Sequence, residues 1–234
     1  MSLLTAMQGA VAASGGGGPY AFQTNGFDQY LDFGSPFVPS STIAGGFTLA
    51  VALPDTTLRY VFGGDTARNF LGCQVSTVIR FDSKNASGAR YVQYGTPPSA
   101  GTRVAHIAPG LGRNLYFDGV AVSTAANSTS ITTGGNLCFA RLVSSYYALT
   151  ARQFWTIDAA ISATQLATLD ALIAVNDDAG AAAYLYSISA TAHYWPVGWP
   201  GDDATGGTGQ IQDITPNAAH ATPYNTTAAN IVEV

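Results

Sequence analysis

The sequence is short of charge. Charged residues make up 10% of its 234 positions, against about 25% in an ordinary globular domain. Lysine occurs once, as Lys84, and glutamate once, as Glu233. With 9 basic residues against 14 acidic ones, the net charge is −5. Such a chain offers no basic surface to follow a phosphate backbone, which argues against nucleic acid as a partner.

Cysteine is scarce too. Cys73 and Cys138 sit in apolar runs, Leu71-Gly-Cys-Gln-Val and Leu137-Cys-Phe. Two are too few for a disulfide framework. Neither has a Cys or His partner at metal-site spacing, so both read as reduced core thiols. No run reaches the 18 or more apolar residues of a membrane span, and no membrane partner is expected. Residues 2–13 end in Val11-Ala12-Ala13, which resembles a signal-peptidase site. That stretch lacks Lys and Arg and is broken by Thr5, Gln8 and Gly9, which weighs against a signal peptide.

What is abundant is apolar residues, at 47%, and turn formers, with 26 Gly and 11 Pro. That suits a turn-rich β protein with a sizeable core. Residues 2–13 place Leu3, Leu4, Met7 and Val11 on one helical face. Gly15, Gly16, Gly17 and Gly18 follow as a flexible break. Residues 1–18 therefore read as a tethered arm and hinge, whose apolar face docks on a partner.

From about residue 22 the hydrophobic period becomes two. Strands are expected near 27–33, 47–53, 58–62, 70–81, 91–94, 104–107, 136–141 and 153–159. Asp118-Gly119, between Leu115-Tyr-Phe and Val120-Ala-Val, supplies the two positive φ angles of a type I′ hairpin turn. Many short strands between Gly, Asn, Asp and Pro turns imply an all-β antiparallel sandwich or jelly roll. One short helix interrupts it near 163–175. Ser162-Ala-Thr-Gln165 is a capping box. Ile161 is placed to staple Leu166, and Leu166, Leu169, Leu172 and Ile173 form one apolar stripe. Tyr184-Leu-Tyr-Ser-Ile reads as one more strand. Residues 191–234 hold Trp195, Trp199 and four prolines, and read as an extended C-terminal arm with aromatic anchors.

Three segments then carry a resemblance. They are Asn114-Leu-Tyr-Phe-Asp-Gly-Val-Ala-Val, Gly135-Asn-Leu-Cys-Phe-Ala, and Phe154-Trp-Thr-Ile-Asp followed by the 163–175 helix. Their order is similar to the second half of a laminin-G-like, concanavalin-A-like lectin/glucanase domain. Asn25-Gly-Phe-Asp-Gln-Tyr-Leu-Asp-Phe-Gly resembles that family's opening strand. The resemblance covers residues 25–175 and implies a sandwich over 19–190 between the two arms. In the tail, Tyr194-Trp-Pro, Gly201-Asp-Asp, Ile211-Gln-Asp-Ile and Ala221-Thr-Pro-Tyr-Asn are similar to segments of bacteriophage structural proteins that carry such domains. This second resemblance implies a virion component, assembled in the host cytoplasm as a capsid decoration, head-fibre or tail protein. Its partners would be other virion proteins and further copies of itself.

Hydrolysis by the family's route needs paired carboxylates in an E-x-D-x-x-E strand. With Glu233 as the one glutamate, that motif is absent, and a non-enzymatic protein is expected. His106 reads as a structural strand histidine. No Gly-x-Ser-x-Gly elbow or phosphate loop is present. No cofactor is expected, with calcium as the open alternative. Its oxygens would come from Asp202, Asp203 and Asp213, or from Asp177 and Asp178, which equally suit solvated turns. Host glycan is the alternative partner, with Tyr146 and Tyr147 as platforms and Tyr91 and Tyr94 as further aromatics. Trp195 and Trp199 read as interface contacts to neighbouring subunits rather than glycan platforms. A secreted lectin-like domain with a mature end near Ser14 is a third reading.

Overall fold

A computed structural model describes residues 19–34, 43–49, 59–64, 72–75, 79–84, 90–95, 101–107, 112–126, 136–142 and 144–234. The expected N-terminal arm, with Leu3, Leu4, Met7 and Val11, lies outside these residues.

Among the described residues the strands form four antiparallel sheets. The largest has eight strands. From one edge it runs β11 (Val120–Ala126), β10 (Gly112–Phe117), β9 (Arg103–Ile107), β3 (Ile43–Leu49), β15 (Thr150–Asp158), β1 (Tyr20–Gln23) and β18 (Ile231–Glu233). The eighth strand, β16 (His193–Pro196), also pairs with β15. The second sheet has the order β17 (Thr222–Tyr224), β2 (Tyr30–Asp32), β12 (Leu137–Phe139) and β5 (Phe62–Gly64). A short hairpin joins β13 (Arg141–Leu142) to β14 (Ser145–Tyr146). The fourth sheet runs β4 (Arg59–Tyr60), β6 (Gly72–Val75), β7 (Ile79–Lys84) and β8 (Arg90–Gly95).

Strand alternation sorts the large sheet's side chains to two cores. Phe154, Trp195, Val104 and Leu115 face the other sheets, where they meet Phe33, Phe62, Phe139 and Ile79. Four of the rings, Phe33, Phe62, Phe139 and Phe154, pack tilted or edge-on at centroid distances of 4.9–6.2 Å. Their neighbours in sequence, Trp155, Tyr194, Ala105 and Tyr116, point the opposite way, onto two helices. Those helices are α1 (Ala163–Ala174) and α2 (Asp178–Ile188). The large sheet is therefore packed on both faces.

The 163–175 helix forms as the sequence predicts. Ser162 Oγ accepts the Gln165 N–H at 3.2 Å and Gln165 Oε1 accepts the Ser162 N–H at 2.8 Å. Ile161 and Leu166 are buried in the same core. The hairpin turn is also as expected, with φ of 47° at Asp118 and 76° at Gly119.

Four expectations are corrected. Residues 184–188 belong to a helix, not a strand. Asp177 caps α2 through the Gly180 N–H at 2.9 Å, and Ala181, Ala182 and Leu185 give it a buried stripe. The alanines outweigh the β preference of the tyrosines. The 70–81 stretch is not one long strand, because β6 and β7 pair with each other through Val75↔Ile79 and Cys73↔Phe81. The 58–62 stretch likewise divides, β4 joining the fourth sheet and β5 the second. Finally, residues 191–234 are not an arm. They supply β16 as a further partner of β15 in the large sheet, β17 to the edge of the second and β18 beside β1. The prolines fit because Pro223 lies on the edge strand β17 and Pro196 ends β16.

Candidate ligand-binding face

The second sheet buries one face and presents the other. Along β2, Leu31 and the following Phe33 enter the core, while Tyr30 and Asp32 alternate to the outer side. β17 pairs with β2 in the register Tyr224↔Tyr30, which sets the two tyrosines side by side. Their rings stack at 4.6 Å with 4° between planes.

The β13–β14 hairpin completes the face. Ala140 takes φ of 64°, which turns the chain sharply out of β12. The hairpin then lies over Gly63, where a Cβ would come within 2.5 Å of the Arg141 carbonyl oxygen and 3.1 Å of Leu142 Cα. Only glycine permits that approach. Arg141 and Tyr146 are paired across the hairpin. The Arg141 guanidinium lies 4.6 Å from the Tyr30 ring centroid and 5.9 Å from that of Tyr146. The Tyr30 and Tyr146 rings are 5.9 Å apart and tilted. Three tyrosines and an arginine thus converge, all half-buried, from segments as distant as residues 30 and 224.

Beside them, Asp32 accepts the Gly34 N–H at 2.8 Å and the Asn136 side-chain amide at 2.9 Å. Burial pushes the Tyr30 hydroxyl up to about 12, although Arg141 pulls it down. Tyr30 therefore keeps its proton throughout the neutral range and remains both donor and acceptor. Aromatic rings and a cation at a surface can stack against a sugar ring and bond its hydroxyls.

The predicted residues divide. Tyr146 belongs to this face, whereas the adjacent Tyr147 packs against the main core. Tyr91 and Tyr94 fall on β8, in another sheet. Trp195 is fully buried within its own chain. Its ring meets Phe33 edge-on at 4.8 Å, and its indole N–H donates to the Ala219 carbonyl at 2.8 Å. It is an internal anchor, not a contact for a neighbouring subunit. Trp199 is half-buried, and its N–H donates to Asp202. No local sequence pattern marks Tyr30, Tyr224 and Arg141; only the β2–β17 pairing and the turn at Ala140 assemble them.

The expected calcium set does not converge. Asp202 accepts the N–H groups of Gly198, Trp199 and Gln212 at 2.7–3.1 Å. Burial nevertheless pushes its carboxyl up to about 7. Asp203 is occupied by the N–H and hydroxyl of Thr205. Asp213 accepts from His193, Thr215, Ala219 and the Tyr194 N–H. Burial acts to raise its carboxyl, but these donors, His193 foremost, hold it below the usual carboxylate range. Asp177 caps α2, and Asp178 accepts the Tyr194 hydroxyl at 2.7 Å. Among the described residues no three His, Cys, Asp or Glu side chains gather as a metal site.

No protein-family model matches the chain, and no curated protein matches it. Solved structures do. A single-residue mutant of HCR/D aligns with a TM-score of 0.53 at 7% identity, covering 64% of this chain and 42% of that one. The botulinum neurotoxin serotype D binding domain aligns at 0.51 and 9% identity, with the same coverages of 64% and 42%. A native heptameric SAP-like pentraxin from Limulus polyphemus aligns at 0.49 and 12% identity, over 64% of this chain and 81% of that one. The chain thus spans less than half the length of the first two. At these identities the likeness is one of fold: the protein is an antiparallel jelly-roll β-sandwich.

Proposed function

We propose that this chain is a non-enzymatic recognition module that binds saccharide on the outer face of its second sheet. The observation that carries this reading is the convergence of Tyr30, Tyr224 and Tyr146 around Arg141. Tyrosine and arginine clusters of this kind are typical of binding surfaces. Asp32, Asp202, Asp203 and Asp213 serve the chain's own backbone and side chains, which suits a scaffold better than an acid–base pair. The lectin-like fold adds support.

The setting we propose is a bacteriophage particle, in which the protein is a surface component of capsid or tail and assembles with other virion proteins and with copies of itself. That setting rests on the tail motifs in the sequence. Attachment is assigned to the apolar residues Leu3, Leu4, Met7 and Val11 and to the half-buried Trp199, since Trp195 is committed to the core.

A glycan array probed with the whole chain tests the binding. Saturable binding to a saccharide, lost in Tyr224→Ala and in Arg141→Ala with thermal unfolding unchanged, is the expected result. Binding that survives both substitutions, or an array with no bound glycan, overturns it.

A further inference from the structure

Phe27 is 83% exposed, the only aromatic among the large apolar side chains left in solvent by the described residues. Leaving a phenylalanine in water forgoes roughly 1.5–3 kcal/mol of burial. The loop that holds it there is closely built. Asn25 Oδ1 accepts the N–H of Phe27 at 2.9 Å, and its Nδ2 donates to Asp28 at 3.1 Å. The Asn25 N–H donates to Gln29 Oε1 at 2.9 Å, and Asn230 donates to the same oxygen at 2.8 Å. Asn225 donates to the Asp28 carbonyl at 3.3 Å. Gly26, with φ of 80°, lies where a Cβ would come 2.8 Å from the Ala148 nitrogen. Two distant segments, at residue 148 and residues 225–230, therefore help fix one loop shape around a ring that touches little of its own chain.

The same anchors hold the tyrosine stack. The loop runs directly into Tyr30, and Asn225 directly follows Tyr224. Three residues reach at most about 11 Å, a span of about two rings in a sugar chain. The groups beside Phe27 are also informative. Asn25 and Asp28 are polar and exposed, so the ring is not part of an apolar patch of the sort that docks protein. A lone aromatic face bordered by amide and carboxylate suits the C–H face of a sugar and its hydroxyls.

We infer that Phe27 is a second stacking platform of the same site, so that the protein reads an oligosaccharide across several rings. This inference rests on the saccharide reading of the tyrosine–arginine face. The loop is shaped before the ligand arrives, so binding loses little conformational freedom there.

Calorimetric titration of the whole chain with chito-, malto- and cello-oligosaccharides of one to six rings tests this. For the series that binds, affinity is expected to rise from the single ring to the three-ring member. Phe27→Ala should lower the affinity for the longer members about tenfold, equivalent to about 1.4 kcal/mol. It should leave the single ring within about twofold. Tyr224→Ala should weaken every member. If Phe27→Ala binds the three-ring sugar like the parent while Tyr224→Ala does not, Phe27 is no platform and the tyrosine face stands. If no member of any series binds, both readings fall together.

Discussion

The indole N–H of Trp195 donates to the Ala219 carbonyl at 2.8 Å, bridging β16 of the large sheet to the segment that leads into β17. The ring also fills the space between Phe33 and the plane of His193, which lies parallel to it at 5.4 Å. Trp195→Ala should therefore cost about 3–5 kcal/mol, read as a lower urea midpoint. Trp199→Ala, at a half-buried position, should cost about 1 kcal/mol or less. Equal losses at the two positions would contradict the burial described.

Two aspartates give the fold opposite responses to pH. Asp202 holds its proton up to about 7 when folded, but only to about 4 when unfolded. Its contribution is complete below about pH 4 and is lost as pH rises through 7, at about 1.4 kcal/mol for each pH unit in between. Asp213 is lowered when folded, so its contribution is present above the ordinary carboxylate range and is lost below it. The stability of Asp202→Asn relative to the parent should improve from pH 5 to pH 8. Urea unfolding at both values measures it, and a pH-independent difference would remove Asp202 as the cause.

The start of α1 depends on a reciprocal pair. Ser162→Ala leaves the Gln165 N–H without its acceptor and should cost about 1 kcal/mol. Gln165→Ala should cost less alone, and the double variant should cost less than the sum of the two, because each side chain serves the other's backbone. Strict additivity in chemical unfolding would mean the two hydrogen bonds are independent.

Deleting residues 2–13 tests the virion setting. The truncated chain should keep its unfolding temperature and its saccharide affinity, yet fail to enter particles. Normal incorporation would show that the apolar residues from Leu3 to Val11 are not the attachment.

Much of the architecture was legible in the sequence because it is written locally. The Asp118-Gly119 turn and the Ser162–Gln165 box are each specified within four residues, and both appear where expected. The second helix was not legible, since Tyr184, Tyr186 and Ile188 favour strand while the deciding signals, Asp177 and the alanines, lie before them. The tail is hard to read for a related reason. Its prolines argue against regular pairing in general but not at a strand end or an edge, and only tertiary position separates the cases. The candidate face was the least legible. Tyr146 was visible as an aromatic, but Tyr30 and Tyr224 lie 194 residues apart and become neighbours through strand register alone.

The large sheet, pressed between the sandwich interior and two helices, has little freedom to vary: a change in β15 or β16 disturbs one packing or the other. The outer surface of β2 and β17, with the short hairpin from Arg141 to Tyr146, carries no such double obligation. Substitutions can accumulate there while the scaffold stays as it is, much as a tool handle accepts different heads.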